Sequence, residues 1–310
     1  MNIKTILNIL AAMLGIIGLS MLFPVLIAYL YNESDLSGYF YSMALCLSIS
    51  IPVWFLTRKN RKLSSRDGFA LVTFAWIIVA IAGSLPFYLT GSIPNYTDAW
   101  FESMSGFTTT GASVIDQSTS PVCSGEFDGD CVGSQKRSLL LWRSLSQWIG
   151  GMGIIVLAVA ILPFLGIGGM QLFVAEAPVF SLDKLQPRIK ETAQRLWLIY
   201  ISFTILLFFI LWAEGMDIFD AVNHAMTTFA TGGFSTKNAS IGYFESPLIQ
   251  YTIILFMFIS ATNFTLTYFA LKLDFKKILN NEEFKIYLSF IVILTLIVFS
   301  TLYMIDSSYA

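Results

Sequence analysis

Two short segments of this chain are rich in threonine and glycine, and their residues are suited to holding a cation. One is TTTG at Thr108–Gly111, and the other is ATGG at Ala230–Gly233. Threonine hydroxyls and main-chain carbonyls are hard oxygen ligands, whereas divalent transition metals would call for cysteine or histidine, which both segments lack. Glycine allows backbone conformations that a side chain forbids. Oxygen atoms that replace a hydration shell are how a potassium filter works, so the pattern favours an alkali cation.

The two segments belong to an internal repeat, because Asp98–Ser113 aligns without a gap to Asp220–Ser235. Seven positions are identical in the two copies: Asp98 and Asp220, Ala99 and Ala221, Met104 and Met226, Phe107 and Phe229, Thr109 and Thr231, Gly111 and Gly233, and Ser113 and Ser235. Each copy follows one apolar run and precedes another. The repeating unit is therefore a span, a short helix, a Thr/Gly segment and a second span.

Each copy begins with an aspartate, Asp98 or Asp220, which is predicted to cap a short helix. About ten helical residues are too few to cross a bilayer, so each segment is predicted to enter and leave by the same face, buried in protein or lining a watery cavity. A helix that enters N-terminus first directs its negative dipole end inward, which favours a cation. Glu102 and His224 occupy matching positions in the two helices. They are interpreted either as packed or vestibule-facing side chains, or as groups with a gating or proton role.

Composition places these segments in a membrane protein. The chain is 56% hydrophobic and 12% charged, whereas an average soluble domain is about 25% charged. Runs of about 20 apolar residues can cross a bilayer, and seven are predicted to do so: Ile6–Tyr31, Tyr39–Leu56, Phe69–Leu89, Ser144–Ile167, Leu196–Ala213, Leu248–Leu271 and Phe284–Ile305. The predicted fold class is an all-α polytopic membrane protein in contact with lipid. The first run is too long for a good removable signal peptide and is predicted to be retained.

Basic residues predict the orientation. Three loops are rich in lysine and arginine and fall on one side of the membrane: Arg58, Lys59, Arg61, Lys62 and Arg66; Lys184, Arg188, Lys190 and Arg195; and Lys272, Lys276, Lys277 and Lys285. The opposite side carries only Lys136, Arg137 and Lys237. Short basic loops stay in the cytoplasm, so the N-terminus is predicted to be cytoplasmic and the Thr/Gly segments to face outward. The net charge of −2 and the lack of a basic face give no indication of nucleic-acid binding.

Three further features leave alternatives open. Cys123 and Cys131 share the outer segment CSGEFDGDC and are either paired in a disulfide or free thiols. The glycines of WIGGMG, at positions 150, 151 and 153, either allow close helix packing or form a flexible point for gating. Arg143 lies at the outer end of the same span, where its long side chain can reach the membrane interface, and a role in repelling or positioning ions is the alternative.

The repeat, with TTTGAS and ATGGFS in the filter positions, resembles the Trk/Ktr/HKT superfamily of potassium transporters. LWRSLSQWIGGMGIIVLAVAILPFLGIGG (Leu141–Gly169) is similar to the second helix of the first repeat in TrkH-type subunits. MQLFVAEAPVFSLDKLQPRIKETAQRLWLIYI (Met170–Ile201) is similar to the stretch that follows that helix. The apolar pair before Phe69 fits the N-terminal helical hairpin of TrkH-type proteins. The resemblance covers essentially the whole chain.

The resemblance implies a potassium-channel-like pore of four helix–pore helix–filter–helix repeats, in a subunit that takes up K⁺ across the cytoplasmic (inner) membrane. It further implies a homodimer, a cytoplasmic nucleotide-binding regulatory subunit and, in some members, coupling to protons or sodium. The transported K⁺ would be lined by Thr108–Gly111 and Ala230–Gly233. The ligands most favoured are the main-chain oxygens of Thr109, Thr110, Thr231 and Gly232. Gly111 and Gly233 match the glycine that this family places in each filter.

The expected organisation is a hairpin at 1–66, a first pore repeat at 67–182, a second at 183–281, and the first span of an incomplete third repeat at 282–310. Because two filters cannot surround an ion on four sides, the chain is expected to be a fragment of a longer protein, or else to complete its pore with another chain. A K⁺/Na⁺-permeable or Na⁺-coupled transporter of the same superfamily is the nearest alternative function. A transporter of anions or organic solutes would favour inverted repeats, and these two run in parallel. A membrane-embedded enzyme would want clustered acidic, histidine or arginine residues, and a purely structural subunit is the remaining alternative.

Overall fold

The computed structural model describes residues 2–58, 65–125, 128–153, 189–271 and 273–308, and the regular structure within these ranges is helical. The helices in chain order are α1 (Ile3–Ser20), α2 (Leu22–Leu30), α3 (Leu36–Thr57), α4 (Ser65–Leu89), α5 (Tyr96–Phe107), α6 (residues 137–153), α7 (Ile189–Ala213), α8 (Ile218–Phe229), α9 (Pro247–Ser260), α10 (Phe264–Leu271), α11 (Phe275–Leu279) and α12 (Glu282–Ser308). Five helical stretches in the described ranges are long and apolar enough to cross a membrane: Ile3–Leu30, Leu36–Thr57, Asp67–Leu89, Leu196–Ala213 and Glu282–Met304. The predicted all-α membrane fold is therefore confirmed.

The first span contains a break. Helix α1 ends at Ser20 and α2 begins at Leu22, and Pro24 lies in the first turn of α2. Proline has no amide hydrogen to donate to the carbonyl of Ser20, so the helical hydrogen-bond ladder is interrupted there. One turn earlier, the Met21 amide donates to the Gly18 carbonyl at 3.2 Å, and the Ile17 carbonyl accepts from the Ser20 hydroxyl at 2.7 Å. The two helices together still form an apolar stretch of 28 residues, which is long enough to cross the bilayer.

The prediction of one continuous span at Leu248–Leu271 is wrong, because α9 ends at Ser260 and α10 begins at Phe264. The hydroxyls of Ser260 and Thr262 donate to the carbonyls of Met257 and Ile259, at 3.1 and 2.6 Å. Such local side-chain bonds compete with the helical ladder. The run Ser-Ala-Thr-Asn is therefore a helix stop inside an otherwise apolar stretch.

Parts of other sequence predictions lie outside the described residues. Helix α6 covers 137–153, so it includes the N-terminal part of the predicted span Ser144–Ile167, and the rest of that span is among residues 154–188. Lys184 and Arg188 of the second basic loop and most of the connector Met170–Ile201 also lie outside the description, as do Lys59, Arg61 and Lys62 of the first loop and Lys272 of the third.

Two of the three buried apolar clusters among the described residues support the short helices. Helices α1, α3 and α4 pack on one another, and α4 packs on the short helix α5. Their cluster includes Phe107 and Trp142, whose rings meet edge to face at 6.1 Å. Helices α7, α8 and α9 enclose the second cluster, in which the rings of Tyr200 and Phe229 lie 5.3 Å apart. Helix α5 packs in the first cluster, whereas α8 contributes Met226 to the first cluster and Phe229 to the second.

The N-terminal hairpin (α1–α3) is joined to the first repeat at the start of α6. The amides of Arg137 and Ser138 donate to the two carboxylate oxygens of Glu33, at 2.8 and 3.2 Å. Lys136 forms an ion pair with Asp35. Free amides at a helix start usually bond to a local side chain. Here a carboxylate from the turn between α2 and α3 takes that role, and it complements the positive end of the helix dipole.

Glu33→Ala should weaken this junction. Loss of a charged cap costs about 2 kcal/mol of stability, so we expect a clear fall in the unfolding temperature of the purified protein in detergent. Glu33→Gln, which keeps the shape but loses the charge, should fall between the wild type and Glu33→Ala. Glu245→Ala is the matched control, because Glu245 is exposed. Equal unfolding temperatures for Glu33→Ala and Glu245→Ala would contradict a capping role.

Candidate ion-selectivity filter

The two short helices, α5 and α8, are built alike. Each has 12 residues and a side-chain cap, with Asn95 accepting from the Thr97 amide at 2.9 Å and Asp217 from the Phe219 amide at 3.0 Å. The prediction that Asp98 and Asp220 are the caps is therefore wrong. Both lie in the first helical turn, three residues after the true cap. Their carboxylates still stabilise the helices there through the dipole.

The residues after each helix have the same backbone conformation in both repeats. Thr109 and Thr231 have φ of 54° and 56°, and Gly111 and Gly233 both have φ of 78°. Left-handed backbone costs a residue with a β-carbon about 1–2 kcal/mol, and such strain is typical of functional sites. The same strained conformation recurs at the same position of both repeats, which indicates that it is a common requirement of these segments.

Hydrogen bonding of the two segments also matches. The amides of Thr109 and Thr231 each donate at 3.0 Å to the carbonyl three residues back. The amides of Thr110 and Gly232 donate at 3.0 and 2.9 Å to the carbonyl five residues back. The amides of each segment therefore bond to carbonyls of the preceding short helix. The carbonyl oxygens of the segment itself are left without these donors. No described residue donates a hydrogen bond to the main-chain oxygens of Thr109, Thr110, Thr231 or Gly232.

The two segments lie side by side. A β-carbon placed on Gly111 would overlap the carbonyl oxygen of Gly232. The structure therefore brings together the two Thr/Gly segments that the sequence singled out, Thr108–Gly111 and Ala230–Gly233. We call them filter 1 and filter 2.

Helix α6 packs behind both filters. A β-carbon on Gly150 would overlap the Phe107 carbonyl, just before filter 1, and one on Gly151 would lie 3.3 Å from the Cα of Ala230 in filter 2. The close-packing interpretation therefore agrees with the contacts at Gly150 and Gly151. At Gly153, nothing described lies within 4 Å of an added β-carbon. The same helix is held against α7, because the Tyr200 hydroxyl donates to the Trp148 carbonyl at 3.0 Å.

Arg143 does not reach the membrane interface as expected, since it is only 2% exposed. Its Nε donates to Glu102 Oε1 at 2.8 Å, and its Nη2 donates to Ser113 Oγ at 3.1 Å. Its Nη1 donates to the Ser235 carbonyl at 2.9 Å, beyond filter 2. The guanidinium also lies 4.3 Å from the centre of the Phe234 ring. The anionic partner and the acceptors of both repeats keep this charge in the interior.

Glu102 and His224 perform matching tasks in the two repeats. Glu102 accepts from the Ser113 hydroxyl at 3.0 Å, and a ring nitrogen of His224 lies 3.1 Å from the Ser235 hydroxyl. Ser113 and Ser235 are themselves equivalent positions just after the filters. Both Glu102 and His224 are buried, which agrees with the packed interpretation, and His224 also lines a cavity beside Thr231, Gly232 and Gly233. The gating or proton role stays a prediction.

Gln147 is a site residue that the sequence did not single out. It lies one helical turn after Arg143, is fully buried, and accepts from the Phe234 amide through Oε1 at 3.0 Å. A β-carbon on Gly232 would overlap its carboxamide. Its Nε2 has no hydrogen-bond partner among the described residues. Its four-residue spacing from Arg143 was the only signal in the sequence.

The loop between filter 1 and α6 is tied to the segment after filter 2. The structure pairs Cys123 with Cys131 in a disulfide. Beside that disulfide, the Val132 amide donates to Asn238 Oδ1 at 3.0 Å, and the Asn238 amide donates to Asp130 Oδ1 at 2.9 Å. The two repeats are therefore joined through the loop before α6 and the segment after filter 2, in addition to their contacts with α6.

Comparison with known proteins identifies close relatives. A family model described as TrkH, cation transport protein, matches residues 37–305. The Trk system potassium uptake protein TrkH of Vibrio parahaemolyticus is 44% identical over 276 residues, which are 87% of this chain and 53% of that protein. The Escherichia coli (strain K12) protein of the same name is 41% identical over 309 residues, 97% of this chain and 60% of the relative.

A solved structure agrees with these matches. The crystal structure of the potassium transporter TrkH from Vibrio parahaemolyticus superposes with a TM-score of 0.78 and 39% identity, over 96% of this chain and 58% of that one. The chain thus spans a little over half the length of the relatives it matches.

Gly111→Ala should be more damaging than Gly233→Ala. Both glycines have φ of 78°, so both substitutions strain the backbone equally. Only at Gly111 does the added methyl group also overlap an atom of the other filter, while nothing described lies within 4 Å at Gly233. Overpacking adds about 1–3 kcal/mol. We expect a lower unfolding temperature for Gly111→Ala than for Gly233→Ala in purified protein. Equal losses would contradict the contact between the filters.

Proposed function

The chain belongs to the TrkH family of cation transport proteins, and on this premise we propose that it takes up K⁺ through a pore to which its two filters contribute. The family and its relatives are transporters and not enzymes. The observation that carries the proposal is the filter backbone, repeated residue by residue at Thr108–Gly111 and Ala230–Gly233. Its carbonyl oxygens remain available to an ion, as in a filter that replaces the hydration shell.

The proposed K⁺ ligands are the main-chain oxygens of Thr109, Thr110, Thr231 and Gly232. Helices α5 and α8 both end at the filters, so the negative ends of two helix dipoles add to the attraction for a cation. An inside-negative potential supplies about 2.3 kcal/mol per charge per 100 mV. The filter is therefore required for selection, and the membrane potential drives uptake.

Two adjacent filters supply two sides of an ion site. We propose that further filter segments close the ring, from the same polypeptide or from another chain. In the proposed organisation, residues 1–66 form the hairpin, 67–182 and 183–281 form pore repeats, and 282–310 open a third. The N-terminus is placed in the cytoplasm on the charge pattern, and the filters face outward from the cytoplasmic membrane. A homodimer and a cytoplasmic nucleotide-binding regulatory subunit complete the proposal, and both rest on family resemblance.

Expression of the protein in cells that lack potassium uptake systems should restore growth at low K⁺ and the uptake of a K⁺ tracer. Gly233→Ser should lower K⁺/Na⁺ discrimination, because a serine at φ of 78° displaces the filter carbonyls. Gly215→Ser is the matched control, since Gly215 has φ of 99° but lies in the turn between α7 and α8, outside the filter. Unchanged discrimination in Gly233→Ser would refute the filter assignment, and failure of the wild type to restore growth despite membrane expression would refute potassium uptake.

A further inference from the structure

We propose that Arg143 and Glu102 are positioning residues for ion selection, which hold filter 1 and filter 2 at a fixed lateral distance. The role rests on the proposed function, because it concerns the selectivity of the same filters. Neither residue touches the proposed ion ligands. Each acts instead through the residues that follow the filters.

Arg143 contacts both repeats at once. Toward the first repeat its guanidinium binds Glu102 and the Ser113 hydroxyl, and toward the second it binds the Ser235 carbonyl. Ser113 and Ser235 each lie two residues after the last glycine of their filter. One rigid, planar group therefore fixes the residues just after filter 1 relative to those just after filter 2. A lysine, which lacks the planar fork of donors, could do this only in part.

Glu102 completes the connection on its own side. Its Oε1 accepts from Arg143 and Ser113, and its Oε2 accepts from the Val114 amide at 2.9 Å. Its exposure is 0%. A buried ion pair is a poor source of stability, because apolar residues of similar volume often do as well, and its best-attested use is to specify geometry. The hydrogen bonds that surround this pair hold both side chains in one position, and a role in fixing the distance between the filters requires that.

The pair belongs to the junction between the repeats and is not a property of each repeat. The position equivalent to Glu102 is His224, which bonds to Ser235 within its own repeat. Helix α9 follows filter 2 as α6 follows filter 1, and its sequence, PLIQYTIILFMFIS, contains no charged residue. The buried charges therefore lie only where filter 1 and filter 2 meet, among the described residues behind the filters.

Removal of either Arg143 or Glu102 leaves a buried charge without its counterion. The residues just after the filters then also lose hydrogen bonds that hold them in place. K⁺ is the larger ion and needs the filter oxygens held apart at a set distance, so a loosened pair of walls should admit Na⁺ more readily. Replacement of both partners by neutral amides of similar shape removes the stranded charge. The double variant should therefore recover part of the selectivity that each single variant loses.

The test measures the K⁺/Na⁺ permeability ratio of the complete protein in proteoliposomes, for Arg143→Gln, Arg143→Lys, Glu102→Gln and the double variant Glu102→Gln/Arg143→Gln. The interaction energy between contacting residues in such a network corresponds to a change of about tenfold in an equilibrium constant. We expect each single Gln variant to lower the ratio by about tenfold, Arg143→Lys to lower it less, and the double variant to lie above both single Gln variants. Arg137→Gln is the control, because Arg137 lies on the same helix against the rings of Tyr31 and Phe219, and its ratio should equal that of the wild type.

A wild-type ratio in Arg143→Gln and Glu102→Gln, measured beside a lowered ratio in Gly233→Ser, would overturn the positioning role and leave the filter intact. A wild-type ratio in Gly233→Ser as well would overturn the filter assignment itself. Strictly additive losses in the double variant would also overturn the role, because they would mean that the two residues do not act as a pair. If Arg143→Gln does not reach the membrane, Arg143→Lys and the double variant decide by the same ratios.

Discussion

Backbone polar groups inside a membrane need partners within the protein, and this requirement governs how each filter is built. The end groups of a short helix inside a bilayer find partners only in the protein or in a water-filled cavity. Here the amides after α5 and α8 fold back onto the carbonyls of their own helix. The left-handed conformations at Thr109 and Thr231 make that return possible. What remains is a row of carbonyl oxygens without a donor among the described residues, and we propose a desolvated cation as their partner.

The same requirement explains the polar residues of α6. That helix packs between the repeats, and its face carries Arg143, Gln147 and Gly150 at intervals of four and three residues, so all three lie on one side. Arg143 and Gln147 supply hydrogen bonds to the chain just after the filters, and Gly150 leaves room for the end of α5. Glu33 fixes the start of this helix from the N-terminal hairpin. The hairpin is thus connected to the filters through one rigid element.

The sequence alone was sufficient for the repeat, because identical residues recur at matching positions and take the same backbone conformation. It was also sufficient for five of the seven predicted spans, which match helices long and apolar enough to cross a membrane. It failed where partners come from distant parts of the chain. Arg143 was expected at the interface because nothing local reveals Glu102 on the other side of filter 1. The helix caps were misassigned because Asn95 and Asp217 precede equally good capping residues by three positions, and the break after Ser260 was hidden by its apolar surroundings.

The central claim is that the carbonyl oxygens of filter 1 and filter 2 bind the transported ion directly. Rubidium substitutes for potassium and scatters anomalously, so crystals of the protein grown in a rubidium salt test the claim most directly. An anomalous difference peak beside the main-chain oxygens of Thr109, Thr110, Thr231 and Gly232, which disappears when sodium replaces rubidium, is the predicted result. A rubidium peak held elsewhere, by carboxylates or by side-chain hydroxyls away from the filters, would contradict the account.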